Sequence, residues 1–183
     1  LTRLAGHKHG VGCVSFSPNG RYLVSCGFKH DKTMQFWDWQ DEDILHSRDE
    51  KDSSNEKDQR GLATEPASTK PLFINKIGNK VNAVDYHESG TYFVTCGDRH
   101  LKFWSLQYDA SADSGDLVGL VGRPAMITPE LQRANFMDVV CGTGSTLNET
   151  IYTCTACGTL CAFHSSRTID TWINLESTAY SLS

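Results

Sequence analysis

The chain contains an internal repeat, and this repeat constrains the fold more than any other feature of the sequence. Residues 11–27 (VGCVSFSPNGRYLVSCG) align with residues 81–97 (VNAVDYHESGTYFVTCG), and residues 31–37 align with residues 98–104. The alignment contains ten identities in 24 positions, in order and with one short gap. Chance is a poor explanation for this agreement, so we expect both units to share one backbone plan.

Each unit has the pattern of short antiparallel strands joined by tight turns. Residues 11–16 and 21–25 are rich in β-branched and aromatic side chains, which favour strands. Asn19-Gly20 between them fits a hairpin turn, where glycine takes a positive φ. Three such strands and a fourth make one blade of a β-propeller. The sequence therefore predicts an all-β fold, a β-propeller fragment of about three four-stranded blades.

The two units start 70 residues apart, whereas one blade takes about 40–45 residues. The excess is dense in charge and nearly free of large apolar residues. Such a stretch cannot bury enough apolar area to offset its ordering entropy, so we predict a disordered acidic insert. The first predicted blade covers 4–45, with an outer strand starting at Ile44-Leu45, and the insert covers 46–71. A second blade covers 72–107, and a linker covers 108–116. A divergent blade then covers 117–176, and the first strand of a next blade covers 177–183.

Composition narrows the classes of partner and compartment. The net charge of −5 argues against a nucleic-acid partner, which usually requires a clustered basic face. No apolar run approaches the roughly 18 residues needed to cross a bilayer, so no membrane role is expected. The seven cysteines are odd in number and irregularly spaced, which does not fit a secreted disulfide framework. We therefore expect a reducing, cytoplasmic environment.

Two clusters offer metal or catalytic chemistry, and both have plainer explanations. Cys154, Cys157 and Cys161 have the spacing C-x2-C-x3-C, but no second CxxC or histidine pair follows, so we favour small core residues. His7, His9 and His30 form the second cluster; His9 and His30 are interpreted as solvated loop residues, and His7 is better explained by the repeat pattern described below. The sequence contains neither a G-x-S-x-G nucleophile elbow nor a G-x-x-x-x-G-K phosphate loop. We therefore expect no enzyme activity and no cofactor.

The charged run between Asp41 and Arg60 is interpreted mainly as a solvated linker. Its serines give an alternative, because phosphorylation would add charge to a flexible segment. The candidate regulatory phosphorylation sites are Ser47, Ser53 and Ser54.

The first unit resembles the WD-repeat family. Gly6-His7, Ser25, Asp31 and Trp37-Asp38 stand in the order GH…S…D…WD that marks this family. The resemblance implies that His7, Ser25, Asp31 and Trp37 form a hydrogen-bonded chain that ties a loop to the strands. A buried indole N–H and a buried carboxylate each need such partners.

The other units depart from this pattern. The second unit matches at Thr95, Asp98 and Trp104, but Ile77 stands at the position of the histidine. The last third has neither the GH nor the WD dipeptide. The resemblance therefore implies one complete network and two incomplete ones.

A narrower resemblance covers nearly the whole chain. The runs GVGCVSFSPNGRYLVS, VNAVDYHESGTYFVTCGDRHLKFW, NFMDVVCGTG and GTLCAFHSSRTIDTW are similar to blades of the large mitogen-activated-protein-kinase-binding WD-repeat scaffolds, which include the microcephaly-associated spindle-pole members. The resemblance implies a protein-interaction scaffold in MAP-kinase signalling or centrosome–spindle-pole assembly. Its expected partners are stress-activated kinases or spindle-pole components.

Two other function classes stay open at this point. One is a tandem-propeller microtubule-associated protein, although the acidic microtubule would favour a basic face and this chain is net acidic. The other is an enzyme with its site in the propeller channel, which would require inward-pointing acids or histidines at corresponding blade positions.

Overall fold

A computed structural model describes residues 3–39, 68–109 and 116–182. In these ranges the chain forms three four-stranded antiparallel sheets and one two-residue parallel pair. This confirms the predicted all-β propeller fragment. The strands are β1 (Arg3–Leu4), β2 (Val11–Phe16), β3 (Tyr22–Gly27), β4 (Thr33–Asp38), β5 (Ser68–Thr69), β6 (Phe73–Lys76), β7 (Val81–Tyr86), β8 (Tyr92–Gly97), β9 (His100–Tyr108), β10 (Leu117–Pro124), β11 (Phe136–Cys141), β12 (Thr150–Thr155), β13 (Thr159–His164) and β14 (Ile169–Asn174).

The order of strands corrects the predicted boundary between the first two blades. The first sheet has the order β2-β3-β4-β6, and Phe73 of β6 lies opposite Phe36 of β4. Its fourth strand therefore comes from 73–76, which the sequence assigned to the second blade. Along the chain, the charged stretch therefore falls between β4 and β6 of one sheet, and not between two blades. Ile44-Leu45, the predicted outer strand, falls outside the described residues.

The second boundary is corrected in the same way. The second sheet has the order β10-β9-β8-β7, with Leu117 opposite Tyr108. Residues 117–124 thus complete the second sheet, and the predicted linker joins two strands of that sheet. The third sheet, β11-β12-β13-β14, starts at Phe136. Pairing decides these assignments, and a pattern of alternating residues does not reveal which neighbour an edge strand joins.

The end of the chain also differs from the prediction. Residues 177–182 form no strand. The backbone N–H of Leu182 and the hydroxyl of Ser181 instead donate to the Asp138 carboxylate, at 2.8 and 3.1 Å. A single-turn helix, Gly144–Leu147, and a 3-10 turn, Pro129–Leu131, complete the described structure. None of the described helices is long and apolar enough to span a membrane.

The sheets stack face to face around two apolar cores. Val24 and Phe36 of the first sheet pack with Phe93 and Trp104 of the second. The opposite face of the second sheet packs on the third through a separate core that includes Phe103, Ile151 and Phe163. Both faces of the second sheet are therefore buried, and each fully buried side chain of this size contributes about 1.5–3 kcal/mol.

Close backbone approach explains one identity of the repeat. A Cβ atom on Gly97 would lie 1.9 Å from the carbonyl oxygen of Lys80. A Cβ atom on Gly27 would lie 2.5 Å from the Cβ of Asp31. Only glycine fits these sites, and the turn that carries Asp31 is thereby held against the end of β3.

Candidate functional site

The first sheet holds a buried network centred on Ser25. The indole N–H of Trp37 on β4 donates to the Ser25 hydroxyl at 2.9 Å. His7, in the loop before β2, lies with its Nε2 2.9 Å from the same oxygen. Burial lowers the pKa of His7, although the Asp31 carboxylate and the bond to Ser25 act in the opposite direction. The neutral ring can then accept the Ser25 proton at Nε2.

Asp31 anchors the same loop through the backbone and not through the His7 ring. Its carboxylate accepts the N–H groups of Lys8 at 2.8 Å and His9 at 3.0 Å. The closest approach to His7, from Oδ2 to Nδ1, is 3.9 Å, which exceeds hydrogen-bond reach. The predicted chain of His7, Ser25, Asp31 and Trp37 is therefore interrupted at Asp31. Asp31 still positions His7, because its carboxylate holds Lys8 and His9, the two residues that follow His7.

The second sheet builds a similar network from a residue that the sequence analysis missed. The indole N–H of Trp104 donates to the Thr95 hydroxyl at 2.9 Å, and Nε2 of His100 lies 2.7 Å from that hydroxyl. His100 belongs to β9 and thus replaces a histidine from the preceding loop, where Ile77 stands. The sequence did contain a signal for His100: residues 100, 102 and 104 alternate along β9, so His100 and Trp104 lie on one face of the strand.

Asp98 takes no part in this second network. Its carboxylate lies 3.6 Å from the guanidinium of Arg99, and both side chains are about half exposed. Burial, followed by the charge of Lys102, lowers the pKa of His100 to about 4. The ring is therefore neutral at neutral pH, as the buried contact with Thr95 requires.

The third sheet has lost the network because it lacks an indole donor. Phe163 stands at the position of Trp37 and Trp104, and Thr153 stands at that of Ser25 and Thr95. The Thr153 hydroxyl instead donates to the carbonyl oxygen of Asp138 at 2.6 Å. The buried hydroxyl is thus satisfied locally, as a buried polar group must be.

The first network resembles a serine–histidine–aspartate catalytic group, and its surroundings indicate a structural role. The Ser25 oxygen already accepts the indole proton and is only 4% exposed. The fold repeats the hydroxyl–histidine pair at Thr95, which is 0% exposed under the first sheet. In both sheets the hydroxyl is held between an indole N–H and an imidazole, which fits a structural role. A cavity of about 250 Å³ adjoins the first network and is lined by His7, Ser25 and Trp37.

The cysteine cluster is divided between two faces of the third sheet. Thr153 pairs with Cys161, and Cys154 pairs with Leu160, so the two cysteines alternate and point to opposite faces. Cys157 is exposed in the intervening turn. Within the described ranges no group of three or more His, Cys, Asp or Glu could hold a metal ion. Ser47, Ser53 and Ser54 lie outside these ranges.

Stacked four-stranded sheets with a hydroxyl–histidine–indole network are the geometry of WD-repeat blades. The family model "WD domain, G-beta repeat" matches residues 1–38 and 73–105. The β-propeller domain of Myceliophteria thermophila Cps50 (Swd1) superposes with a TM-score of 0.62 at 15% identity, over 96% of this chain and 45% of that chain. The RRP9 WD40 repeats give 0.59 at 10% identity, over 96% and 42%. The chain belongs to the WD-repeat family.

Relatives of known name are similar over most of the chain. The chain is 33% identical to mitogen-activated protein kinase-binding protein 1 of Mus musculus over 92% of its length. It is 34% identical to WD repeat-containing protein 62 of Mus musculus over the same share. The chain spans 12% of the length of each relative. These similarities confirm the subgroup that the blade sequences indicated.

Proposed function

We propose that this chain is part of a non-catalytic protein-interaction scaffold that serves MAP-kinase signalling or centrosome–spindle-pole assembly in the cytoplasm. The observation that carries the proposal is the 33% identity, over 92% of the chain, to a protein named for binding mitogen-activated protein kinases. The spindle-pole alternative rests on the resemblance of the blade sequences to that group of scaffolds. Ser47, Ser53 and Ser54 are the proposed regulatory phosphorylation sites.

The contacts of the polar side chains support a scaffold role. Ser25 and Thr95 are the buried nucleophile candidates, and each has its hydroxyl between an indole N–H and an imidazole. Their hydrogen bonds join strands and loops within a sheet. A fold that uses its hydroxyl–histidine pairs in this way leaves its exposed loops and edges for contact with other proteins.

Affinity purification of the full-length protein from dividing cells tests this function. We expect stress-activated kinases or spindle-pole components to co-purify in stoichiometric amounts, and the tagged protein to lie at the spindle pole if the second partner class is correct. An unrelated WD-repeat protein, tagged in the same way, is the control. Complexes that contain neither class of partner would contradict the proposal.

A further inference from the structure

A cavity of about 340 Å³ lies at the outer edge of the groove between the second and third sheets. The second sheet contributes Tyr92, Phe103, Val121 and Arg123 to its lining. Arg167 reaches it from the turn between β13 and β14 of the third sheet. Its volume is at the lower end of the range for ligand pockets, which suits one side chain of a bound peptide.

The equivalent groove between the first two sheets has different side chains at the same positions. Phe73 lies opposite Phe36 as Arg123 lies opposite Phe103, so Phe73 and Arg123 are equivalent. Phe73 is partly buried against the first core. The repeat thus places a guanidinium in the second groove where the first groove has an aromatic ring.

The two grooves also differ at a second pair of equivalent positions, Asp38 and Ser105. Asp38 lies opposite Tyr22, and Ser105 lies opposite Tyr92. The first groove therefore has a carboxylate, bound to Arg21 at 2.8 Å, where the second groove has a hydroxyl. The first groove thus has an aromatic ring and a carboxylate paired with Arg21, where the second groove has the Arg123 guanidinium and the Ser105 hydroxyl.

Arg167 occupies the left-handed backbone region, as Lys32 and Arg99 also do. Its φ is 79°, in the turn between the third and fourth strands of its sheet. Gly20 and Gly90, in turns between the first and second strands of their sheets, have φ values of 71° and 69°. An arginine in this region is strained, and strain of this kind is found at functional sites. Its guanidinium donates to the carbonyl oxygen of Pro124 at 3.0 Å, which holds the third sheet's charge at the rim of the second.

The polar groups of the cavity have unused capacity. Within the described residues no carboxylate forms an ion pair with Arg123 or Arg167. The hydroxyl of Tyr92 is buried and has no hydrogen-bond partner there. The guanidinium group of arginine forms bidentate hydrogen bonds with phosphate oxygens, and two arginines balance the charge of a phosphate dianion.

We propose that this groove binds a phosphoserine or phosphothreonine within an extended peptide of a partner protein. The proposal rests on the scaffold function above and names the chemistry of one partner. Arg123 and Arg167 take the phosphate. β10 is an edge strand of the second sheet, and its half-exposed Val118 and Val121 give the peptide backbone and side chains a surface to follow.

An oriented peptide library with one fixed phosphoserine, compared with the same library unphosphorylated, tests this site on the immobilised full-length protein. We expect the phosphorylated library to be retained selectively. Arg123→Met, and Arg123→Phe, which copies the first groove, should each weaken retention about tenfold or more, because a charge-assisted hydrogen bond is lost. Arg133→Met is the matched control, since Arg133 is exposed and does not line the cavity.

Arg167→Gly separates binding from folding. Glycine relieves the backbone strain at φ 79°, so the thermal midpoint should not fall, while phosphopeptide retention should fall about tenfold. Equal retention of both libraries, or variants that bind like the parent chain, would overturn the site. So would retention of phosphoinositide vesicles or inorganic phosphate in place of the peptides. If the variants no longer retain phosphopeptides but kinase or spindle-pole partners still co-purify with the protein, the proposed scaffold function is unaffected.

Discussion

At the scale of single residues, each sheet buries one hydroxyl at the same position and gives it different partners. Ser25 uses His7 and Trp37, whereas Thr95 uses His100 and Trp104. An unsatisfied buried hydroxyl costs about 1–3 kcal/mol, so the position tolerates a change of partner but not the loss of every partner. The family signature can therefore drift while the blade persists.

Asp31→Ala tests the anchoring of the loop that carries His7. We expect faster amide hydrogen exchange at Lys8 and His9, because both lose their carboxylate acceptor. Exchange measured by mass spectrometry over residues 3–16 reports the effect. Asp98→Ala is the control, since that carboxylate has only a half-exposed contact with Arg99. Equal exchange in the Asp31 variant and the parent chain would disprove the anchor.

His100 makes stability depend on pH. Its pKa is about 4 in the folded chain and near 6.5 when unfolded, so the unfolded state binds more protons between these values. The free energy of unfolding that depends on a neutral His100 is fully present above pH 6.5, and it is lost as the pH falls toward 4. We expect a loss of about 2 kcal/mol in unfolding free energy between pH 7 and pH 5.

His100→Thr should remove this part of the pH dependence, and the other two sheets carry threonine at the same position, Thr33 and Thr159. Urea unfolding at one fixed protein concentration, at both pH values, measures it. His30→Gln, at an exposed loop position, is the control, and its unfolding free energy should depend on pH as it does in the parent chain. A variant at His100 with an unchanged slope would show that another group titrates.

At the scale of elements, the edge strands decide how the chain is divided into blades. β6 joins β4 across the charged stretch, and β10 joins β9 across the shorter one. Closing a longer loop costs only about 0.6 kcal/mol more for each doubling of its length. A long charged segment inside a blade is therefore compatible with a stable sheet.

Phe73→Ser tests the assignment of β6 to the first sheet. Phe73 is half-buried, with its ring centroid 6.1 Å from that of Phe36, so its loss should lower the unfolding free energy by about 1–3 kcal/mol. Ile74→Ser on the same strand is the matched control, because Ile74 is 61% exposed. Thermal melts should place the Phe73 variant clearly below the Ile74 variant, and the reverse order would contradict the assignment.

At the scale of the whole molecule, the stack of sheets leaves one apolar face uncovered. Val11 and Val14 of the first sheet are 48% and 50% exposed. Their equivalents Val81 and Val84 in the second sheet are 5% and 8% exposed, because the first sheet packs on them. Propellers close with about 4–8 blades, and three are described here.

The 183-residue chain alone should therefore associate and not behave as a stable closed monomer. Size-exclusion chromatography with light scattering should show species larger than one chain. Val14→Gln should shift the distribution toward monomer, and Val118→Gln, exposed on β10, should shift it less. A monodisperse parent monomer with a sharp thermal transition would mean that the uncovered face does not control association.

Local chemistry allowed the sequence alone to determine the class of fold and most strands. Strand propensity, glycine turns and the aligned units are all short-range signals, and the Gly27/Gly97 identity records a steric limit that any such blade must meet. The resemblance to the WD-repeat family implied a network of His7, Ser25, Asp31 and Trp37, and three of these four residues are joined by hydrogen bonds.

Only the tertiary structure decided features that depend on contacts distant along the chain. The pairing of Phe73 with Phe36 moved a strand between blades, and the face shared by His100 and Trp104 supplied a histidine that the motif lacks. The charged cavity at Arg123 and Arg167 joins residues from two sheets. Each outcome depends on which surfaces meet in space, and a linear pattern of residues does not contain that information.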